Sequence, residues 1–158
     1  MRIAFFILGI FLFVGCSLKE PFLKEDTVLQ ETLVYSKKGE IYNSLEIKAS
    51  IFATYLNRID SKYKDGEYFV VSIFIDDDFE DPKKYGLNNK AFHLTLNGKK
   101  YIYKKELDED SELRKLVPFK NQWSHYYLVK FPKQSGVKEL VLSNYAYGST
   151  TLRFREKI

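Results

Sequence analysis

Residues 92–107 read FHLTLNGKKYIYKKEL, and this stretch decides the fold class. Two runs rich in aromatic, branched and leucine residues flank Asn97-Gly98. A two-residue hairpin turn of type I′ needs positive φ at both central positions, which Asn and Gly tolerate at least cost. The stretch therefore predicts a β-hairpin. On its second arm Tyr101 and Tyr103 fall on one face, and Lys100, Ile102 and Lys104 on the other.

The same chemistry extends in both directions. Residues 67–75 (EYFVVSIFI) are almost continuously apolar, which suits a central strand buried on both faces. Residues 45–55 alternate, with Leu45, Ile47, Ala49, Ile51, Ala53 and Tyr55 on one side. Leu45, Ala49, Phe52 and Leu56 also match a helical spacing, but the β-branched and aromatic content favours a strand. Residues 28–36 (VLQETLVYS) read as a strand, and Lys37-Lys38-Gly39-Glu40 as the turn after it. Residues 108–116 (DEDSELRKL) predict a short helix, with acids in its first turn, bases in its last, and Pro118 beyond. Residues 123–132 and 137–143 read as a hairpin around Ser135-Gly136, and residues 150–155 (TTLRFR) as a last strand. Short strands joined by short turns predict an all-β fold, an antiparallel immunoglobulin-like β-sandwich of about seven to eight strands, with a small closed barrel as the alternative. The pair of cysteines flanking a tryptophan that marks true immunoglobulin domains is absent, because the chain has a single cysteine.

Composition agrees with a folded domain. Of 158 residues 45% are hydrophobic and 16% aromatic, enough apolar surface to offset chain entropy. The net charge is +4, and +3 without residues 1–15, which hold Arg2 and no acid. Acids and lysines are interspersed throughout, so the chain lacks the basic stripe of a nucleic-acid binder and no nucleic-acid partner is expected. A mild positive excess suits a domain beside an anionic membrane.

The N-terminus is a separate unit. Arg2 precedes an apolar run over residues 3–14, about a dozen residues where a membrane-spanning helix needs about 20. That is the layout of a signal peptide. It ends in Phe13-Val14-Gly15-Cys16, which resembles the lipobox of bacterial lipoproteins, a small residue before a lipidated cysteine. The resemblance covers the first 16 residues and implies cleavage after residue 15 and a diacylglyceryl anchor on Cys16. Two acyl chains hold a protein stably on a bilayer. In that family's sorting rule Asp after the cysteine retains the protein at the inner membrane; Ser17 implies the outer membrane, with the domain facing the periplasm. The expected organisation is a signal peptide at 1–15, the lipidated cysteine and a polar tether at 16–26, and a β-sandwich domain at 27–158.

Few residues suggest chemistry. Asp76-Asp77-Asp78-Phe79-Glu80-Asp81 follows a predicted strand, and Asp76, Asp78 and Asp81 could offer hard oxygen ligands to Ca²⁺. EF-hand spacing is absent, and an acidic loop that keeps a strand end from pairing is the competing reading. His93 and His125, the only histidines, lack cysteine partners for zinc. There is no Gly-x-Ser-x-Gly elbow and no glycine-rich phosphate loop, so the chain reads as a non-enzyme. Tyr145 and Tyr147, in a predicted loop (NYAYGS, residues 144–149), are the candidate contacts for a partner or a sugar ring. The expectation is a lipid-anchored structural or partner-binding module of the cell envelope that holds an envelope protein. The alternative is a module binding glycan, peptidoglycan or a divalent ion.

Overall fold

The computed structural model describes residues 30–155. Among them nine strands form: β1 (Ser36–Asn43), β2 (Glu46–Tyr55), β3 (Glu67–Ile75), β4 (Phe92–Leu96), β5 (Lys99–Lys100), β6 (Tyr103–Glu106), β7 (His125–Phe131), β8 (Lys138–Asn144) and β9 (Gly148–Phe154). They build two open antiparallel sheets, ordered β1-β2-β3-β7-β6 and β5-β4-β8-β9. The fold is an all-β sandwich, and neither sheet closes into a barrel. No helix among the described residues is long and apolar enough to cross a membrane.

β3 sits at the centre of the first sheet because neither of its faces is polar. Phe69, Val71, Ile73 and Ile75 point into the space between the sheets, where they meet Ile51, Val129, Phe131, Leu94, Leu140, Leu142 and Phe154. Aromatic rings interlock there, with Phe69 edge-on to Phe131 at 6.0 Å and to Phe154 at 5.2 Å. Val70, on the opposite face, belongs to a second core with Leu56, Leu107, Val117 and Tyr126. The predicted two-sided burial is met by two different layers, a second sheet and a covering loop. The cover carries one helical turn, Glu112–Lys115, shorter than the helix expected over 108–116. It is fastened where the Thr54 hydroxyl donates to the Leu116 carbonyl at 3.0 Å.

Three local expectations change. Residues 30–34 are helical where a strand was expected, and β1 begins at Ser36. The Ser36 hydroxyl caps that turn by donating to the Thr32 carbonyl at 2.6 Å. Lys37-Lys38-Gly39-Glu40 lies inside β1, and the chain reverses later, at Ser44, whose φ is 55°. The Asn97-Gly98 turn forms as expected, with φ of 46° and 77°, but its second arm divides. Lys99 and Lys100 pair with β4; then the Tyr101 ring packs edge-on to Phe131 at 6.3 Å, and the Ile102 N–H donates to the Lys130 carbonyl at 2.8 Å. The arm thus passes into the other sheet as β6, and strict alternation of Tyr101 with Tyr103 is lost.

β7 and β8 do not form the expected hairpin, because they lie in different sheets. Pro132 has no N–H to continue the β7 ladder. Beyond it Gln134 stitches the corner, its N–H donating to the buried Glu67 carboxylate at 3.0 Å and its side-chain amide to the Leu96 carbonyl at 3.0 Å. The Tyr55 hydroxyl donates to the other Glu67 oxygen at 2.5 Å, so this buried acid is held by hydrogen bonds from both sides. β8 pairs instead with β9.

Gly39 explains the misread turn. A Cβ built there would stand 2.5 Å from Thr150 Oγ1 and 2.9 Å from Leu152 Cδ2. Glycine in a strand often marks such a close approach, and this one lets β9 press against β1 to close one side of the sandwich. Gly39→Val should therefore destabilise the domain by about 1–3 kcal/mol, the usual cost of overpacking. Urea unfolding measures it, and an unchanged midpoint would show that β9 does not bear on Gly39.

Candidate functional site

β5 is only two residues long and pairs with Thr95 and Leu96 alone. The first half of β4, Phe92 to Leu94, therefore has no strand on that side among the described residues. Alternation along an antiparallel strand fixes where its polar groups point. The Asn97 N–H donates to Glu139 of β8, and the His93 carbonyl accepts from Ser143 of β8. Residues 93, 95 and 97 thus turn their backbone toward β8, and Phe92 and Leu94 turn theirs to the other side, where the Asn89 carbonyl already accepts the Phe92 N–H at 3.1 Å and Leu94 is left without a strand partner.

The opposite wall is the loop that leaves β3. Asp78 organises it: one carboxylate oxygen accepts the Gly86 N–H at 2.6 Å, and the other accepts the Phe79 N–H at 2.9 Å and the Asn89 amide at 3.1 Å. Lys104 of β6 reaches under the wall, donating to the Leu87 carbonyl at 3.3 Å and to the Asn88 side-chain oxygen. Its ammonium also stands 5.8 Å from the ring centres of Tyr101 and Tyr127. Burial holds the Lys104 pKa below the ordinary lysine value, with the Glu106 charge opposing. Tyr85 stacks on His125 at 3.8 Å, and its hydroxyl donates to Glu106 at 3.0 Å. Burial, seconded by that carboxylate, raises the Tyr85 phenol above its usual range.

Between β4 and this wall lies a groove of about 440 Å³. Its floor is apolar, from Leu87, Phe92, Leu94 and Tyr101. Asn88, Asn89, Lys90, His93 and Lys100 supply the polar lining, and none of the described lining residues is acidic. The groove is suited to an extended chain or anion that brings acceptors and negative charge.

The tyrosine turn stands at the same end of the sheet, since Phe92 pairs with Asn144. The Asn144 side chain accepts the N–H groups of Ala146 and Tyr147, at 2.7 and 3.1 Å, and props the turn open. Tyr145 is fully exposed and Tyr147 partly so.

The three aspartates do not converge. Asp76 pairs with Lys48 at 2.8 Å, Asp78 is spent on the loop backbone and Asn89, and Asp81 accepts the Lys83 N–H at 3.0 Å beside Lys84. Among the described residues no three metal-binding side chains gather around one point. Cys16 lies outside the described residues. No sequence motif marks Lys90, Lys100, Lys104, Asn88 and Asn89 as site residues; Gly86 between Tyr85 and Leu87 is the local signal of a special backbone.

No protein-family model, curated protein or solved structure matches this chain.

Gly86 is constrained twice. Its φ is +53°, and a Cβ would fall on the Tyr127 hydroxyl and lie 3.2 Å from His125 Cβ. That hydroxyl is buried and has no formed hydrogen bond among the described residues, although the Leu87 N–H lies close enough to act on it. Desolvation drives the Tyr127 pKa far above the ordinary value, so the phenol stays neutral. Gly98, by contrast, has positive φ with open space around it. Gly86→Ala should cost about 2–4 kcal/mol, strain plus overpacking, against about 1–2 kcal/mol for Gly98→Ala, where only strain applies. Equal losses in parallel unfolding curves would mean that Tyr127 does not press on the loop.

Proposed function

We propose that this chain is a lipoprotein of the bacterial envelope, anchored through Cys16 to the outer membrane on its periplasmic side, and that its sandwich is a non-catalytic module for binding a partner protein. The observation that carries the binding role is the open edge of β4 beside an acid-free groove. An extended segment of the partner would pair with Leu94, set side chains on Phe92 and Tyr101, and place acidic groups near Lys90 and Lys100. Main-chain pairing supplies affinity in this mode, and alternate side chains supply selectivity. Tyr145 would extend the contact at the groove's end, as exposed tyrosines do at interfaces. The anchor rests on the lipobox resemblance around Cys16 and on Ser17 after it.

A glycan or peptidoglycan fragment is the second reading, favoured by the ring of Tyr145 standing free beside a groove rich in amide and amine donors.

Mild-detergent isolation of the tagged full-length chain from its own envelope, with mass spectrometry, tests the role beside two variants. A stoichiometric partner should be recovered, lost from the membrane fraction with Cys16→Ala, and held roughly tenfold more weakly after Lys90→Glu with Lys100→Glu, as for reversed charges at an interface. Undiminished retention by the charge-reversed protein would remove the groove from the interface. Absence of any partner, with thermal stabilisation by muropeptides, would favour the glycan reading.

A further inference from the structure

The described chain begins beside an apolar patch. In the helical turn at 30–34, Leu33 is 48% and Val34 66% exposed. Phe119, 60% exposed, stands at the end of the covering loop and lines one pocket with Leu33, its ring 5.2 Å from that of Phe52. Leu33, Phe52, Pro118 and Phe119 share a shallow pocket of about 140 Å³ with Lys37 and Lys38 at its rim. Lys38 is paired with Glu40, while Lys37 and Lys120 are exposed lysines flanking the patch, and Glu31 is the acid on the same turn. Exposed apolar side chains gathered in one place mark a surface that meets an apolar partner.

Two facts choose that partner. The patch lies where residues 17–29 join the domain. If Cys16 is held in a bilayer, those residues reach at most about 45 Å when fully extended. Whatever they attach the domain to therefore lies within reach of Leu33 and Phe119, at an effective concentration that lets a weak affinity suffice. The chemistry is also that of a bilayer interface, where aromatic and aliphatic groups enter the headgroup boundary and lysines meet anionic lipids.

We infer that the face formed by Leu33, Phe52, Pro118 and Phe119 lies on the membrane that anchors the chain, an inference that rests on the lipid-anchor reading. Its place in the fold suits the proposed groove. The patch sits at the β1 side of the first sheet and the Ser36 end of its strands; the groove lies at the β5 and β6 side, and Tyr145 at the far end of β8. A domain resting on the patch turns its groove away from the lipid.

The chain has one tryptophan, Trp123, so a single reporter can be moved at will. Full-length protein carrying Trp123→Phe with Phe119→Trp would be reconstituted into vesicles of phosphatidylethanolamine and phosphatidylglycerol. A second protein would carry Trp123→Phe with Tyr145→Trp. The reporter at 119 should be quenched roughly twofold or more by lipids brominated near the headgroup, because an interfacial face enters that boundary by about 5–10 Å. The reporter at 145 should be untouched, and adding Leu33→Asp should reduce quenching at 119. These sites are exposed, so neither core is altered. No quenching at 119, or equal quenching at 119 and 145, overturns the inference. Mass spectrometry of the N-terminal peptide judges the anchor separately. A quenched reporter on a chain without lipid keeps the docking face and retires the anchor, whereas a lipidated chain with an unquenched reporter does the reverse.

Discussion

The arrangement of this protein depends on burying both faces of β3. Its edges are satisfied by β2 and β7, but its side chains are apolar above and below the sheet. Leaving either face wet would forfeit about 1.5–3 kcal/mol for each large side chain exposed. The second sheet covers one face. The other receives a loop with a single helical turn, drawn down by Leu107, Leu113, Leu116 and Val117 and by Arg114 over the ring of Tyr126 at 4.2 Å. This cover runs out at Pro118, which is why Phe52 is only partly covered and Phe119 stands in solvent.

Two layers filled by one chain require crossings, and the crossings make the site. After Lys100 the second hairpin arm faces a choice between lengthening β5 and pairing with β7. Tyr101 decides it, because its ring gains the aromatic core beside Phe131 only if the backbone turns inward. β5 is cut short, and Leu94 of β4 is left without a strand partner on that side. Long open edges invite aggregation, and proteins blunt them with lysines or by covering them. Here the gap is short and flanked by Lys90, Lys99 and Lys100, and the loop from β3 folds beside it to give the edge a second wall.

Strands whose pattern reflects their own burial were legible in the sequence. The run over 67–75, the alternation from Ala49 to Tyr55 and the Asn97-Gly98 turn each carry a local cause, and each lies where expected; Leu45, 97% exposed in the turn before β2, and the exposed Ile47 do not join the buried face expected of them. What could not be read came from distant parts of the chain. Gly39 looks like a turn residue until Thr150 is seen to need its space. Residues 28–36 have strand propensity, yet residues 30–34 form a helical turn, since β-propensity is largely a measure of tertiary context. Pairing of β7 with β8 fails because the two strands serve different sheets, and sequence adjacency does not encode that choice. Tyr145 was legible as an exposed turn residue. The groove was not, because it joins residues from a loop, a strand and a crossover that only the topology brings together. The acidic run has the composition of an oxygen-ligand set, but Asp78 uses its oxygens on backbone and amide donors, a role that its spacing does not reveal.

That role bears on binding. A groove whose wall had to be ordered on arrival of a ligand would give up affinity to conformational entropy. The wall from Leu87 to Lys90 is already held at three points: Asp78 on Gly86 and Asn89, Lys104 on Leu87 and Asn88, and Tyr85 on His125 and Glu106. Gly86 accepts positive φ and lies on Tyr127, so the wall is seated on the core and cannot settle lower. Its facing edge belongs to β4, itself locked to β8 along its full length. Both sides of the groove are thus in place before anything enters, and an incoming strand would have only itself to order. Rigidity of this kind would suit the proposed recognition of backbone and charge.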